Sequence, residues 1–252
     1  MPEKTITLLA LTSRNVSQHV AAINATMEAL RRPCDRLIIC PEKPNVDNRF
    51  RWENHPIFLD WKYPESYNRF MLKLLADFIH TDFVITIHDD GYGRNGDRWI
   101  NDFLSYDYIG APWPSEWELG GYRVGNGGFS LRSRQLIELC RDGPEVDAKV
   151  PEDVHICRNH RTFFDQHKCF FAPVELAIEF SIEYGLSEYP GRTGSSSFGF
   201  HGKHNLNQAF SPPGCRGLQK THRTLQSVTP SLHSTQTPIC EQLANNLRTT
   251  CE

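Results

Sequence analysis

Apolar residues along this chain fall into short unbroken runs that alternate with longer stretches of helical period. Residues 5–12 (TITLLALT) are apolar and β-branched almost throughout, which predicts a buried strand. Val16, Val20, Ile23, Met27 and Leu30 then recur at helical spacing. They predict a helix over 16–31, with Ser13 and Asn15 as capping residues and Pro33 as its stop. Residues 36–40 (RLIIC) predict a second strand, a polar proline-bearing loop follows at 41–49, and 56–60 (PIFLD) predict a third strand. Residues 66–80 predict a helix with Phe70, Leu74 and Phe78 on one face, and 83–87 (FVITI) a buried strand running straight into His88-Asp89-Asp90. This order predicts an α/β fold with a mostly parallel sheet flanked by helices. Ligands of such sheets sit outside the carboxyl ends of the strands, which is where His88-Asp89-Asp90 falls.

The second half reads differently. Helices are predicted at 132–141 and 152–160 and a strand near 169–172, between aromatic and glycine-rich loops. After about residue 205 the chain becomes rich in Ser, Thr, Gln, Asn and Pro and poor in large apolar groups. The expectation is one folded domain over 1–205 and a low-complexity, disordered or loosely packed tail over 206–252. No internal repeat is evident.

Bulk properties narrow the partners. With 252 residues, 39% of them hydrophobic, the chain can bury a core without disulfide or metal staples. The formal net charge of −3 and the absence of a Lys/Arg run argue against nucleic acid and against a charged membrane patch as partners. No stretch approaches the length of a membrane span. TITLLALT is too short and too interrupted for a signal sequence, so the expected location is cytoplasmic. Eight cysteines without a CxxC pair are expected to be free thiols. Cys157, His160, His167 and Cys169 cluster in sequence, but their spacing fits no common zinc pattern.

Four short motifs carry the candidate chemistry. His88-Asp89-Asp90-Gly91 places adjacent carboxylates at a strand end, a charge concentration that a hard cation such as Mg2+ or Mn2+ relieves; the same letters also make an ordinary turn. Val124-Gly125-Asn126-Gly127-Gly128 permits positive φ and close backbone approach, and lacks both the Walker lysine and the GxGxxG order; a tight hairpin is the other reading. Pro151-Glu152-Asp153-Val154 is either plain helix-start grammar or a carboxylate placed as general base. His201, after the Gly/Ser loop at 191–197, either closes over a metal or lies on the surface. Trp113 and Trp117 offer flat faces that serve a sugar, a base or simple packing.

Together, YDYIGAPW (106–113), VGNGGFSLRSR (124–134), PEDV (151–154) and FGFHG around His201 resemble a glycosyltransferase-like domain family over roughly residues 5–204. That family is similar in turn to GT-A glycosyltransferases. The resemblance implies a GT-A-like (Rossmann-like) fold, an Asp-x-Asp-type motif and a divalent metal, Mn2+ or Mg2+. It implies a nucleoside-diphosphate sugar as donor and an unspecified hydroxyl acceptor, as for a hexosyltransferase in polysaccharide or glycoconjugate synthesis. Matched motif by motif, Asp90 and His201 become metal ligands. Asp153 becomes the catalytic base, with Glu152 beside it, if the enzyme inverts configuration; if it retains configuration, the two position the acceptor. Thr12, His88, Asp89, Trp113, Asn126, Gly127 and Gly128 become substrate contacts. His88 stands where many GT-A enzymes have Asp. Two other functions fit the same residues: a non-catalytic nucleotide-sugar binding protein, and a metal-dependent phosphohydrolase or nucleotidyltransferase.

Overall fold

A computed structural model describes residues 3–55, 64–117 and 120–210. The chain divides into two units, Met1–Ser211 and Pro212–Glu252. The second unit lies outside the described residues, as do the strand expected at 56–60 and all of the expected tail beyond residue 210.

The first half follows the apolar pattern closely. Strand β1 is Ile6–Leu11, helix α1 Val16–Leu30, β2 Asp35–Ile39, β3 Phe50–Glu53, α2 Pro64–Lys73, α3 Leu75–Phe78, β4 Phe83–Ile87 and β5 Tyr92–Gly93. The second half holds β6 Tyr108–Ile109, β7 Phe129–Ser133, α4 Arg134–Asp142, α5 Glu152–Val154, α6 Arg161–Gln166, α7 Val174–Phe180, β8 Ser181–Ile182, β9 Gly199–Phe200 and α8 Lys203–Phe210. Among the described residues six strands form the main sheet in the order β3-β2-β1-β4-β7-β6. The β3, β2, β1 and β4 strands run parallel, and β7 and β6 join antiparallel. The result is the expected α/β architecture with a largely parallel sheet.

Alternation explains why these strands are apolar at nearly every position. Ile6, Leu8 and Ala10 of β1 enter one core, together with Ala22, Ile23, Ala29 and Leu30 of α1. Leu9 and Leu11 enter the other, with Phe70, Met71, Leu75 and Ala76 from α2 and α3 and Ile137 of α4. A parallel sheet covered on both faces needs apolar side chains on both.

Several local expectations change. Asn15 stands at the N-cap of α1 in the left-handed region (φ 51°) but makes no capping bond there; its amide donates to Asp89 Oδ2 at 2.7 Å. The helix expected at 66–80 breaks at Leu74 into α2 and α3. The helix expected from 132 starts at 134, because residues 129–133 are drawn into the sheet and Ser133 Oγ caps α4 by accepting from Leu136 N at 3.1 Å. The helix expected at 152–160 is α5, then one wide π turn over His155–Asn159, then α6. The strand expected at 169–172 is a single bridge from Tyr108 to Phe171. Strand β3 has only one buried residue, Phe50, in FRWE, so its apolar pattern is too thin to announce it. Helix α8 runs past residue 205, the boundary expected from composition.

A second sheet, ordered β5-β9-β8, completes the architecture. Strand β9 pairs antiparallel with β5, and β8 parallel with β9, with Ile182 opposite Phe200. The segment 88–91 therefore links the two sheets. The parallel ends of β8 and β9 set Glu183 and His201 side by side.

Candidate metal centre

Strand β4 delivers His88, Asp89 and Asp90 at its carboxyl end, and β9 delivers His201 opposite them. His201 Nε2 donates to Asp90 Oδ1 at 3.1 Å, with both side chains less than one-fifth exposed. The His88 and His201 rings meet edge to face at 5.4 Å. One ligand atom from each of His88, Asp90 and His201 lies within 4.8 Å of the others, and among the described residues no other group of three such side chains comes as close. The Cys157, His160, His167 and Cys169 set is not brought together in this way.

The charges of the three differ. Burial alone would raise the Asp90 carboxyl, but the His201 charge and hydrogen bond pull it well below the usual carboxylate range. Burial would lower His201, yet Glu183 and Asp90 on either side push it well above an ordinary imidazole. His88 goes down to about 3, first through burial and then through the neighbouring His201 charge. It is therefore neutral at neutral pH and able to offer a lone pair. Tyr67 Oη hydrogen-bonds His88 Nε2 at 2.9 Å and fixes the ring. The donor set, two imidazoles and one carboxylate facing one point, fits a divalent first-row cation. The coupling of Asp90 to a histidine proton is the arrangement such a cation would replace.

The glycine turn closes one side of the centre. The expected positive φ belongs to Asn126 (φ 60°), and Gly125, Gly127 and Gly128 have none. Gly128 is instead required by proximity: a Cβ there would overlap the His201 ring. At Gly127 a Cβ would meet Glu152 Oε1 and Arg132. His88 N donates to Gly128 O at 2.9 Å, and Thr86 Oγ1 to Gly127 O at 2.8 Å. The turn is thus tied to the strand that carries His88.

The two acids of Pro151-Glu152-Asp153-Val154 part company. Glu152 is buried, and its Oε1 accepts from the fully buried Arg132 at 2.7 Å. Asp153 remains partly exposed, and its Oδ2 accepts from Gly127 N at 2.9 Å. Burial, followed by the Glu152 charge, raises its carboxyl to about 7. Tyr184, raised chiefly by burial, also senses Glu183, Asp153 and Asp90 together. Its ring packs against Trp117 and His204.

The remaining predicted contacts fall into two groups. Asn126, Gly127, Gly128 and Asp89 stand at the centre or on its rim. Thr12 is buried, and its hydroxyl donates to Arg14 O and accepts from Arg14 N at 3.0 Å, so it shapes the turn after β1. Trp113 is only 5% exposed and packs where a Gly125 Cβ would stand. It serves packing, not an open platform. Trp117 meets Tyr184 edge to face at 5.1 Å. Sequence reasoning passed over three residues of the centre: Tyr67, Glu183 and Tyr184. Glu183 Oε1 lies 3.3 Å from His201 Nδ1, and its Oε2 accepts from Asn126 Nδ2. Only the FSIEYG run before it, apolar residues ending in an acid and an aromatic, hinted at a strand end like that of β4.

Comparison with known proteins supplies a family. A profile described as "Protein of unknown function (DUF5672)" matches residues 53–201, more than half of the chain. The chain belongs to this family. The DUF5672 match begins at the last residue of β3 and ends on His201, so it takes in the whole centre, from Tyr67 through Asp153 and Glu183. No curated protein matches the sequence. Among solved structures, a mannosyltransferase, PcManGT from Pyrobaculum calidifontis in complex with GDP-Man and Mn2+, is similar with a TM-score of 0.45 and 10% identity, over 69% of this chain. This DUF5672 chain spans 56% of the length of that structure. No helix among the described residues is long and apolar enough to cross a membrane.

Proposed function

We propose that this protein is a metal-dependent glycosyltransferase that moves a sugar from a nucleoside-diphosphate sugar to a hydroxyl acceptor. The observation that carries the reading is the convergence of His88, Asp90 and His201 on one point at the carboxyl end of β4, beside a carboxyl raised to about 7 on Asp153. A divalent cation held by the three side chains would supply positive charge against the diphosphate as it leaves. Two imidazoles suit Mn2+ or Fe2+ better than Mg2+, which prefers all-oxygen shells.

The chain's own residues account for the rest. Asp153 accepts the proton of the acceptor hydroxyl. The acceptor oxygen forms a bond to the anomeric carbon while the bond to the diphosphate oxygen breaks and its electron pair leaves with the nucleoside diphosphate. A base with pKa near neutrality suits that proton transfer. Gly127 holds Asp153 through its N–H, and Gly128 lets the His201 ring sit against the turn. Asn126 and Asp89 stand at its rim to meet polar groups.

The test is a panel of UDP-, GDP- and CDP-sugars with Mn2+, Mg2+ or Fe2+, followed by thermal shift and by release of nucleoside diphosphate, with Asp90→Asn beside the wild type. Metal-dependent release lost in Asp90→Asn is the expected result. Stabilisation without release by any acceptor would select the non-catalytic binding protein. Release of phosphate or pyrophosphate with no sugar transfer would select a hydrolase or nucleotidyltransferase.

A further inference from the structure

We infer that Glu183 is the positioning residue of the metal centre, joining the ligand His201 to the glycine turn through one carboxylate. The inference rests on the metal-centre reading above.

Glu183 emerges from β8 beside His201 from β9, because the two strands run parallel in register. The backbone fixes both ends of this pair: His201 N donates to Ile182 O at 3.0 Å, so the residue before Glu183 holds the backbone of His201. The Glu183 side chain then reaches both ways. Oε1 sits 3.3 Å from His201 Nδ1, and Oε2 accepts from Asn126 Nδ2. His201 Nδ1 is buried and makes no hydrogen bond of good geometry among the described residues. Its facing group is nonetheless the Glu183 carboxylate. A ligating histidine needs an acceptor on its distal nitrogen to fix the ring and its tautomer. With Nδ1–H directed at Glu183, a cation that replaces the Nε2 proton would meet the Nε2 lone pair at the point shared with Asp90 and His88.

The second arm constrains the turn. Asn126 holds the one left-handed backbone position of GNGG, and its Oδ1 accepts from Gly128 N at 3.2 Å. Its Nδ2 is spent on Glu183. Asn126 is thus pinned between Glu183 and the glycine whose missing side chain makes room for His201. Asn205 encloses the same corner by donating from Nδ2 to Glu183 O at 2.9 Å and to His201 O at 2.7 Å. His204 Nε2 reaches Glu183 O at 2.6 Å. Two side chains of α8 therefore hold the backbone carbonyls of the Glu183–His201 pair from behind.

Mn2+ titration of the full chain, read by the electron paramagnetic resonance signal of free Mn2+, tests the assignment. Wild type, Asp90→Asn, Glu183→Gln, Glu183→Asp and Asn126→Gly are compared, each beside its metal-free melting curve. Glu183→Gln is expected to weaken Mn2+ binding about 10- to 100-fold, the usual loss when the partner of a ligating histidine is removed. Glu183→Asp keeps the charge but withdraws it by one methylene, and is expected to weaken binding too. It stands in if the Gln variant does not fold. Asn126→Gly cuts the turn arm together with the Oδ1 bond to Gly128 N and is expected to weaken binding less than Glu183→Gln. Wild-type affinity in Glu183→Gln or Glu183→Asp, with binding lost in Asp90→Asn, overturns the role of Glu183 and leaves the metal centre standing. Absence of Mn2+ binding in the wild type overturns both.

Discussion

The Asp153 carboxylate accepts a hydrogen bond from the backbone N–H of Gly127 at 2.9 Å, so the acid of one motif is held by the glycine turn of another. Burial raises this carboxyl to about 7 from an ordinary 3.8, even though the Gly127 and Val154 N–H groups favour its charged form. The folded protein therefore takes up a proton that the unfolded chain has lost. The stabilisation is complete below about pH 4 and disappears as pH rises to about 7. Asp153→Asn removes it. Melting temperature plotted against pH is expected to fall less steeply between pH 4 and 7 in the variant than in the wild type.

In the proposed reaction the same group would set the pH profile of turnover. A base must be ionised to accept a proton, so sugar transfer is expected to rise through about pH 7 and level off above it. Asp153→Asn is expected to lose the rise together with most of the rate. Retention of both in initial-rate measurements across pH would remove Asp153 from the reaction.

Arg132 and Glu152 form the buried pair beneath the turn. Burial opposes the guanidinium charge, and Glu152 restores it. Removing one partner strands the other, and breaking such a pair costs about 3–5 kcal/mol. Arg132→Met is expected to lower stability by that order in urea unfolding, and Arg132→Met with Glu152→Gln to recover part of the loss.

Lys73 secures the other flank. Its Nζ donates toward the carbonyls of Cys140, Arg141, Gly143 and Pro144 at 3.0–3.4 Å, collecting the orphan acceptors at the end of α4. Lys73→Met keeps the apolar stem and deletes the donor. It is expected to cost about 1.5–3 kcal/mol, the usual range for hydrogen bonds to a charged group, with the metal centre unaffected.

Gly128→Ala isolates the steric argument. The added methyl must displace the His201 ring, so Mn2+ affinity is expected to drop while the sheet, as read by circular dichroism, stays intact. An unchanged affinity would mean that His201 is not a ligand in this position.

The parallel half of the fold was legible because its information is local. In β1, β2 and β4 nearly every side chain meets a core, and α1 shows its apolar stripe at helical period. The missed features depend on distant partners. Strand β7 alternates Phe129 and Leu131 with Ser130 and Arg132, but its polar side chains find distant partners, Arg132 in Glu152 of α5 and Ser130 in Thr86 of β4. Asn15 has the letters of a cap, yet its amide is claimed by Asp89. Within the centre, Asp90 and His201 were readable from motifs. Glu183 was not, since its meaning comes from the register of β8 against β9.

The junction between the two sheets also sets a timetable. The acids at the end of β4 are synthesised more than a hundred residues before His201, and β9 must close against β5 before histidine and carboxylate can meet. Contacts so far apart in the chain form late, because loop closure must come first. A bound cation would thus report that the last strand has arrived. A nascent or truncated chain ending before β9 would carry its acidic pair with no histidine opposite, and would reveal its incompleteness by failing to hold metal.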